Sequence, residues 1–302
     1  MVTVQGKTYA RWNNCIQITN SIVDLIITTD VGPRIIRYGF SGQDNELCEV
    51  RSTLGLTGGN KWRIYGGHRL WHSPEDRTRT YVPDNSPVAW EEIRNGIKTS
   101  QDIEPTTGIW KQMEIRLSPE GTGVHILHRL TNTGVLPVEL SAWSITAMAA
   151  GGKEVVPQTL KKTGLLPNRV MSLWPYTRLN DSRVCFGEKY IILQQDPKIR
   201  QRFKFGTSNE QGWAAYFNHN HLFVKYYHHY PDARYPDFGV SYETFTNSYM
   251  LEMETLSPLT LLKPSGIVEH EEKWELFDNV PMPDNNEFEI ESALTGIINT
   301  LT

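Results

Sequence analysis

Apolar and polar residues alternate with a period of two along most of the chain. In residues 16–32, "IQITNSIVDLIITTDVG", this period predicts two strands joined by a turn at Asn20-Ser21, and "RIIRYGF" at 34–40 predicts a third. Alternate side chains of a strand point to opposite faces, so the period indicates sheets with one buried face. Further strands are predicted at 189–196, 212–218, 221–230, 249–258, 259–264 and 268–277.

Two consecutive strands are predicted to form a hairpin. Residues 124–134, "VHILHRLTNTG", alternate and stop at an Asn-Thr-Gly turn. Residues 136–152, "LPVELSAWSITAMAAGG", follow at once as the return strand. Because short turns usually join paired antiparallel strands, we expect these two strands to be neighbours in one sheet.

The C-terminal stretch, residues 282–302, has the clearest helical spacing in the chain. Asn285 or Asn286 is placed to cap a helix N-terminus, because a short polar side chain can accept a hydrogen bond from a free backbone N–H. We therefore expect a short helix within 285–300. The apolar residues near helical spacing are Phe288, Ile290, Leu294 and Ile298.

These patterns together predict an all-β fold with few short helices. Many strands at regular spacing, separated by turn signals, are typical of a sandwich or a barrel. The 302 residues contain no evident linker, low-complexity segment or internal repeat, so we expect a single domain over residues 1–302.

The composition narrows the classes of partner. Charged residues make up 21% of the chain and the net charge is -4, which gives no basic field for nucleic acid. No segment has the roughly 18 consecutive apolar residues of a membrane helix, and the N-terminus has no apolar leader. The odd number of cysteines (Cys15, Cys48 and Cys185), without CxxC spacing, favours reduced thiols in a cytoplasmic protein. Aromatic residues make up 11%, and clefts that bind sugars also use many aromatic faces.

The strand predicted at 249–258 carries two carboxylates on one face. Alternation places Glu252 and Glu254 together, with Leu251 and Met253 on the opposite face. A rise of about 3.3 Å per residue separates the two glutamates by roughly 7 Å. On a partly dry face each carboxylate raises the pKa of the other, as a general base requires. The alternative is a solvated strand face.

A second candidate is the segment "GGHRLWHSPED", residues 66–76, and the loop that follows it. The glycine pair permits a sharp turn, and the residues after it offer a stackable ring, a bidentate donor and two imidazoles. We interpret it as a ligand-binding loop; the alternative is an irregular loop whose polar groups face water. The candidate site residues are His68, Arg69, Trp71, His72 and Asn85.

The strand predicted at 221–230 is a third candidate. Lys225, Tyr227 and His229 share one face, which is suited to a polyol or an anion unless it is simply exposed to solvent. His228 and His229 point to opposite faces, so they cannot chelate one metal ion. We predict no metal site and no cofactor, and the chain lacks the GxxxxGK[ST], GxGxxG and GxSxG motifs.

Three stretches resemble the galactose mutarotase-like superfamily, which includes aldose 1-epimerases and hexose-6-phosphate mutarotases. They are "GGHRLWHSPE", "LTNTGVLPVELSAWSITAM" and "LEMETLSPLTLLKPSGIVEHEEKWELF", and their order matches along roughly residues 10–278. The resemblance implies a β-supersandwich of large antiparallel sheets, with a sugar held on a concave sheet face.

The resemblance also implies catalytic roles. Glu254, in "METLSP", corresponds to the base that takes the anomeric hydroxyl proton, while a histidine protonates the ring oxygen. The family's histidine position, on the strand after "TNTG", here falls at Ala-Trp-Ser, residues 142–144. Tyr65 also precedes the glycine pair where the family often has Arg or His. The histidines that could replace the acid are His68, His72, His228 and His229.

Three functions therefore stay open at this level. The first is an isomerase, an aldose 1-epimerase-like mutarotase acting on a small-molecule sugar. The second is a sugar-binding module without catalysis. The third is a glycoside hydrolase or polysaccharide lyase-type domain, which needs a second carboxylate from Glu252 or Asp237.

Overall fold

The computed structural model describes residues 1–298, and nearly all of its regular structure is β-strand. None of the helical segments in this range has the length and apolar character needed to span a bilayer. The strands are β1 (Thr3–Tyr9), β2 (Trp12–Thr19), β3 (Val23–Thr28), β4 (Arg34–Phe40), β5 (Gly67–Ser73), β6 (Ala89–Ile93), β7 (Gly96–Ser100), β8 (Ile109–Leu117), β9 (Val124–Asn132), β10 (Val138–Met148), β11 (Lys153–Pro157), β12 (Met171–Leu173), β13 (Val184–Phe186), β14 (Tyr190–Gln194), β15 (Phe203–Thr207), β16 (Trp213–Asn218), β17 (His221–Tyr227), β18 (Tyr242–Thr246), β19 (Leu251–Leu256), β20 (Thr260–Leu262) and β21 (Ile267–Phe277); the helix α1 is Glu287–Leu294.

The strands form two large antiparallel sheets. The first sheet has the order β1-β2-β3-β4-β5-β10-β19-β18-β15-β12, with β20 paired to β10 as its eleventh strand. The second has ten strands in the order β13-β14-β11-β16-β17-β21-β9-β8-β7-β6. The all-β fold class of stacked antiparallel sheets, as the sequence predicts, is therefore confirmed.

An apolar layer fills the space between the sheets. Leu251 and Met253 of β19 face this layer from the first sheet, and Ile115 of β8 and Ile126 of β9 face it from the second. All four side chains are buried. Burial of this face leaves the alternate residues of β19 on the outer face of the first sheet.

The helix α1 covers part of the outer face of the second sheet. Asn286 is the N-cap, and its side chain accepts a hydrogen bond from the backbone N–H of Glu289 at 2.9 Å. Ile290 and Leu294 pack on the sheet, whereas Phe288 is exposed. The short helix predicted within 285–300 is therefore present, but the prediction that Phe288 belongs to its apolar face is wrong. Residues 299–302 lie outside the described residues.

The predicted hairpin of residues 124–134 and 136–152 is wrong. β9 pairs with β8 and β21 in the second sheet, whereas β10 pairs with β5, β19 and β20 in the first. The turn between them carries the chain from one sheet to the other. Alternation predicts that both segments are strands, but it does not encode which strand each one pairs with.

The segment predicted as a ligand-binding loop is also different in the structure. Residues 67–73 form β5, a central and fully buried strand of the first sheet. Its polar residues suggested a loop, yet both of its faces are covered. The strand therefore divides its side chains between two sites, with Arg69 and Trp71 on the outer face and His68 and His72 towards the second sheet.

Candidate functional site

A row of large and charged side chains crosses the outer face of the first sheet. Trp143 of β10 lies opposite Trp71 of β5, and Ile145 lies opposite Arg69. On the other side of β10, Ile145 also lies opposite Glu254 of β19. Residues in register share a face, so three adjacent strands present these side chains together.

These side chains form the floor of a cavity of about 590 Å³, within the size range of small-molecule sites. Aromatic rings and a few charged groups converge on it, and segments outside the strands supply its walls. The lining residues are Trp62, Ile64, Arg69, Trp71, Glu75, Arg77, Tyr81, Trp143, Ile145, Trp174, Tyr176, Arg202, Lys204, Phe245, Asn247, Tyr249, Met250, Glu252 and Glu254.

Glu254 is buried at the base of the cavity. Its Oε2 accepts hydrogen bonds from the indole N–H of Trp143 at 2.9 Å and from Lys204 Nζ at 2.8 Å. Oε1 accepts none from the described residues. Burial raises the pKa of Glu254 and the Lys204 ammonium opposes that rise. The group is therefore a carboxylate with one free oxygen and raised basicity, as proton abstraction requires.

Glu252 shares the same face of β19 and lines the same cavity. Arg69 donates a hydrogen bond from NH1 to Glu252 Oε1 at 2.9 Å, and the Arg69 guanidinium lies 4.5 Å from the centre of the Trp71 ring. Trp71 in turn packs on Tyr81, with ring centres 5.0 Å apart. An ion pair and a group of aromatic faces thus occupy the end of the cavity formed by β5.

Lys204 of β15 connects Glu254 to a second carboxyl group. Its Nζ lies 2.7 Å from Glu243 Oε2 on β18, and all three side chains are buried. Glu243 and Glu254 are direct cross-strand partners on the same face. The indoles of Trp143 and Trp174 flank the ammonium at 4.7 and 4.6 Å.

His68 does not face the cavity. Its ring lies between the sheets, where Nδ1 is 2.8 Å from Thr146 Oγ1 and Nε2 is 2.7 Å from His128 Nε2. Burial holds the pKa of His68 well below its usual range, which keeps the imidazole neutral. The prediction that His68 works with Glu254 in one cleft is wrong, because β5 turns the histidine to the opposite face.

His72 faces the same inner side as His68. Its Nε2 lies 3.7 Å from Glu104 Oε2, and Lys111 Nζ lies 2.5 Å from Glu104 Oε1. Burial would raise the pKa of Glu104, but the Lys111 charge and hydrogen bonds lower it to about 2. His72 therefore belongs to a buried ion-pair cluster, and its predicted place beside Glu254 is also wrong.

Asn85 holds the loop that covers the first sheet. Its side chain accepts a hydrogen bond from the Tyr65 hydroxyl at 2.8 Å and donates to the carbonyl oxygens of Gly59 and Lys61. It is buried and does not line the cavity. The predicted contact of Asn85 with a ligand is therefore replaced by a role in loop structure.

The three residues predicted on β17 and just after it lie away from the cavity. Lys225 is buried between the sheets, with Nζ 3.0 Å from Glu272 Oε1. The Tyr227 hydroxyl donates to the carbonyl oxygen of Asn209. His229 lies 2.8 Å from Ser241 Oγ. The face of Lys225 and Tyr227 packs on the first sheet, so the prediction that it binds a polyol or an anion is wrong, and so is the alternative that it is exposed to solvent.

The described residues that line the cavity include no histidine. His228, the remaining sequence candidate for the acid, is exposed beyond β17 and packs on the Tyr230 ring, 4.2 Å away between centres. Asp237, the alternative second carboxylate, also does not line the cavity. Of the carboxylates predicted on β19, both Glu252 and Glu254 do.

Sequence reasoning missed Lys204, Glu243 and Trp143 as parts of the site. Lys204 sits between two phenylalanines in "FKF", and Glu243 sits between Tyr and Thr in "YET". A single charged residue inside an apolar strand was the available signal, because burying a charge is costly unless it is paired.

One buried group between the sheets has the residue types of a metal site. Ligand atoms of His68, His128 and Glu272 lie within 4.8 Å of one another. However, the two imidazoles bond to each other, and Glu272 Oε1 already receives the Lys225 ammonium and the hydroxyl of Ser144. The Lys225 ammonium thus already occupies the cation position beside Glu272. His68, His128 and Glu272 therefore do not fit an additional metal ion.

No protein-family model and no curated protein matches the chain by sequence. Among solved structures, a TPR-domain containing protein from Parabacteroides distasonis ATCC 8503 matches with a TM-score of 0.60 at 12% identity, covering 92% of this chain and 53% of the other. This chain thus spans about half the length of that protein.

Two further structures match over nearly their whole length. A galactose mutarotase-like protein from Clostridium acetobutylicum matches with a TM-score of 0.53 at 12% identity, and the match covers 92% of this chain and 99% of that protein's chain. A galactose mutarotase-like protein from Lactobacillus casei ATCC 334 matches with a TM-score of 0.53 at 11% identity, and the match covers 87% of this chain and 100% of that protein's chain. The protein therefore has the galactose mutarotase-like fold.

Proposed function

We propose that the protein binds a sugar in the cavity on the first sheet and interconverts its anomers, with Glu254 as the general base. The observation that carries this proposal is the free Oε1 of a buried carboxylate at the base of an aromatic cavity. The fold similarity agrees with it, since two solved proteins of this fold are named galactose mutarotase-like.

The lining of the cavity suits a sugar better than an apolar ligand. A sugar ring has apolar C–H faces and a rim of hydroxyl groups. The ring of Trp71 or Trp62 can stack on such a face, while Arg69 and Glu252 can bind hydroxyl groups at its edge.

The proposed reaction starts with removal of the proton from the anomeric hydroxyl by Glu254. The electron pair of that O–H bond forms the carbonyl, the bond from C1 to the ring oxygen breaks, and the ring oxygen takes a proton from a water molecule in the cavity, which is left as hydroxide until ring closure returns a proton to it. Rotation about the C1–C2 bond and reversal of these steps give the other anomer. Water is the donor in this scheme because the described residues that line the cavity include no histidine.

The test follows the anomeric NMR signals of freshly dissolved D-galactose and D-glucose with and without protein. We expect faster equilibration with the wild type and none above background with Glu254→Gln, because an amide cannot accept the proton. Glu271→Gln, an exposed carboxylate on the second sheet, serves as the control and keeps full activity. Equal rates with the wild type and Glu254→Gln would exclude the proposed base.

A second candidate function is sugar binding without catalysis. It is favoured by the absence of an imidazole among the described cavity residues. Calorimetric binding of a sugar by the wild type, with no acceleration of equilibration, would support this function over the isomerase. Hydrolysis is less supported, because Glu252 is already paired with Arg69.

We also infer a cytoplasmic location. All three cysteines are free, and Cys15 and Cys48 are buried as thiols. Free thiols persist in a reducing compartment.

A further inference from the structure

The surroundings of Lys204 are unusual for a lysine near a surface cavity. Its side chain is 5% exposed, and its ammonium contacts Glu243 Oε2 at 2.7 Å and Glu254 Oε2 at 2.8 Å. The rings of Trp143 and Trp174 flank it on two sides. Two aromatic faces and two carboxyl groups therefore fix one positive charge at the base of the cavity.

The two carboxyl groups are not equivalent. Glu254 Oε2 receives two donors, the Trp143 indole N–H and the Lys204 ammonium, whereas the Lys204 ammonium is the one donor near Glu243 among the described residues. Hydrogen bonds to a charged carboxylate favour its charged form. One ammonium also cannot compensate two buried negative charges. The charge thus belongs on Glu254 and the remaining proton on Glu243, and burial accordingly raises the pKa of Glu243 well above its usual range.

Other charged and titratable groups act on Glu254 from every side. In the cavity they include the neighbouring Glu252 and its partner Arg69. Through the sheet and from the wall the acting groups are Glu154, Lys225, Tyr242 and Tyr176. Among the described residues, Lys204 is the cation in direct contact with Glu254.

We propose that Lys204 is a positioning residue that keeps Glu254 charged and oriented, while Glu243 stores the extra proton of the buried pair. This rests on the proposed function of Glu254 as a base. In the cavity, the Lys204 ammonium and the Trp143 indole N–H take the place of the water molecules that usually solvate a carboxylate such as Glu254. Lys204 acts through Glu254, and its own strongly held proton is not transferred.

Two variants separate this role from a general loss of structure. Lys204→Met removes the ammonium, so the pKa of Glu254 rises by about 2, the size expected for losing an opposite charge in contact. Glu243→Gln keeps the Lys204–Glu254 pair and removes the competing carboxyl, so the pKa of Glu254 falls or stays unchanged. Damage to packing alone would not raise the pKa of Glu254 in Lys204→Met and leave it unchanged or lowered in Glu243→Gln.

The primary readout is the pH titration of the Glu254 carboxyl carbon by NMR on protein with ¹³C-labelled glutamate. Its signal is assigned with Glu254→Gln, and thermal unfolding checks that each variant folds. Lys204→Arg keeps the charge and should restore most of the wild-type titration, even if Lys204→Met is unstable. Unchanged titration in Lys204→Met, or equal upward shifts in Lys204→Met and Glu243→Gln, would overturn the inference.

A kinetic readout links the inference to the reaction. In Lys204→Met the acid limb of the rate–pH profile moves to higher pH together with the Glu254 titration, by about the same 2 units, and the rate on that limb falls by up to roughly a hundredfold. If the wild type does not accelerate anomer exchange, the proposed function fails, whereas the NMR titration still decides the role of Lys204.

Discussion

Trp71 holds several parts of the cavity in contact at once. The Arg69 guanidinium lies over its ring, and the rings of Trp62 and Trp143 both lie 5.4 Å from it between centres. Its neighbours on β5, Leu70 and His72, face the space between the sheets instead. A single residue step on this strand therefore separates groups that can meet a ligand from groups that cannot.

Replacing Trp71 tests the aromatic floor of the cavity. We expect Trp71→Ala to weaken sugar binding at least roughly fivefold, because a stacked aromatic face contributes about 1 kcal/mol beyond its buried area. Trp71→Phe retains a ring and should recover most of the affinity. Calorimetry measures both.

The matched control for that experiment is Trp90→Ala, a half-exposed tryptophan on β6 of the other sheet. It should bind as the wild type does. Equal affinities for Trp71→Ala and Trp90→Ala would show that the ligand does not touch the Trp71 ring.

At the scale of the element, β5 depends on the glycine pair that precedes and begins it. Gly66 and Gly67 both have positive φ, at 91° and 66°. A Cβ on Gly67 would lie 2.2 Å from the backbone oxygen of Ile35 on β4. The pair thus allows β4 and β5 to approach closely, and this approach fixes the direction of Arg69 and Trp71.

We expect Gly67→Ala to lower the free energy of unfolding by at least about 2 kcal/mol, since it combines left-handed backbone strain with a backbone clash. Gly6→Ala on the edge strand β1 is the control, because nothing lies within 4 Å of the added Cβ there. Denaturant unfolding compares the two. Similar midpoints would contradict the importance of the glycine pair.

The period of two predicted many strands and the common face of Glu252 and Glu254, because half-buried strands have one apolar and one polar face. It failed for β5, since both faces of this strand are buried and each face mixes polar and apolar side chains, so no apolar period remains. It also could not predict that β9 and β10 belong to different sheets. Pairing depends on contacts distant in sequence, which a local period does not record.

At the scale of the whole molecule, the layer between the sheets contains a polar cluster within its apolar packing. Lys225 of β17 and Glu272 of β21 are both fully buried and form an ion pair. Lys225 Nζ also donates to the backbone oxygen of Met253 on β19, between the two cavity glutamates in sequence. The cluster thus links the second sheet to the strand that carries the proposed base.

We expect Lys225→Met to destabilise the protein by roughly 3–5 kcal/mol at neutral pH, because it leaves a buried carboxylate without its partner. Burial alone would raise the pKa of Glu272, but Lys225 and its neighbours hold it well below the usual range. Because the pKa of Glu272 is lowered in the folded protein, its charged form stabilises the fold at pH values above the ordinary pKa of a glutamate. This contribution is lost as the pH falls through the lowered pKa. The deficit of the variant should therefore shrink in acid.

Lys273→Met is the control, since this lysine is more than half exposed on the other face of β21. Its effect on the free energy of unfolding should be within about 0.5 kcal/mol. A deficit for Lys225→Met that stays constant from neutral to acidic pH would argue against a charged Glu272.

The cavity floor and the intersheet layer use alternate residues of the same strands, and this has a consequence for protein engineering. Trp71, Trp143 and Ile145 pack in a cluster of their own, apart from the apolar layer that holds the sheets together. A combinatorial library that randomises such outward positions would leave the inward ones unchanged. Ligand preference in this scaffold should thus evolve while the apolar layer between the sheets keeps its packing.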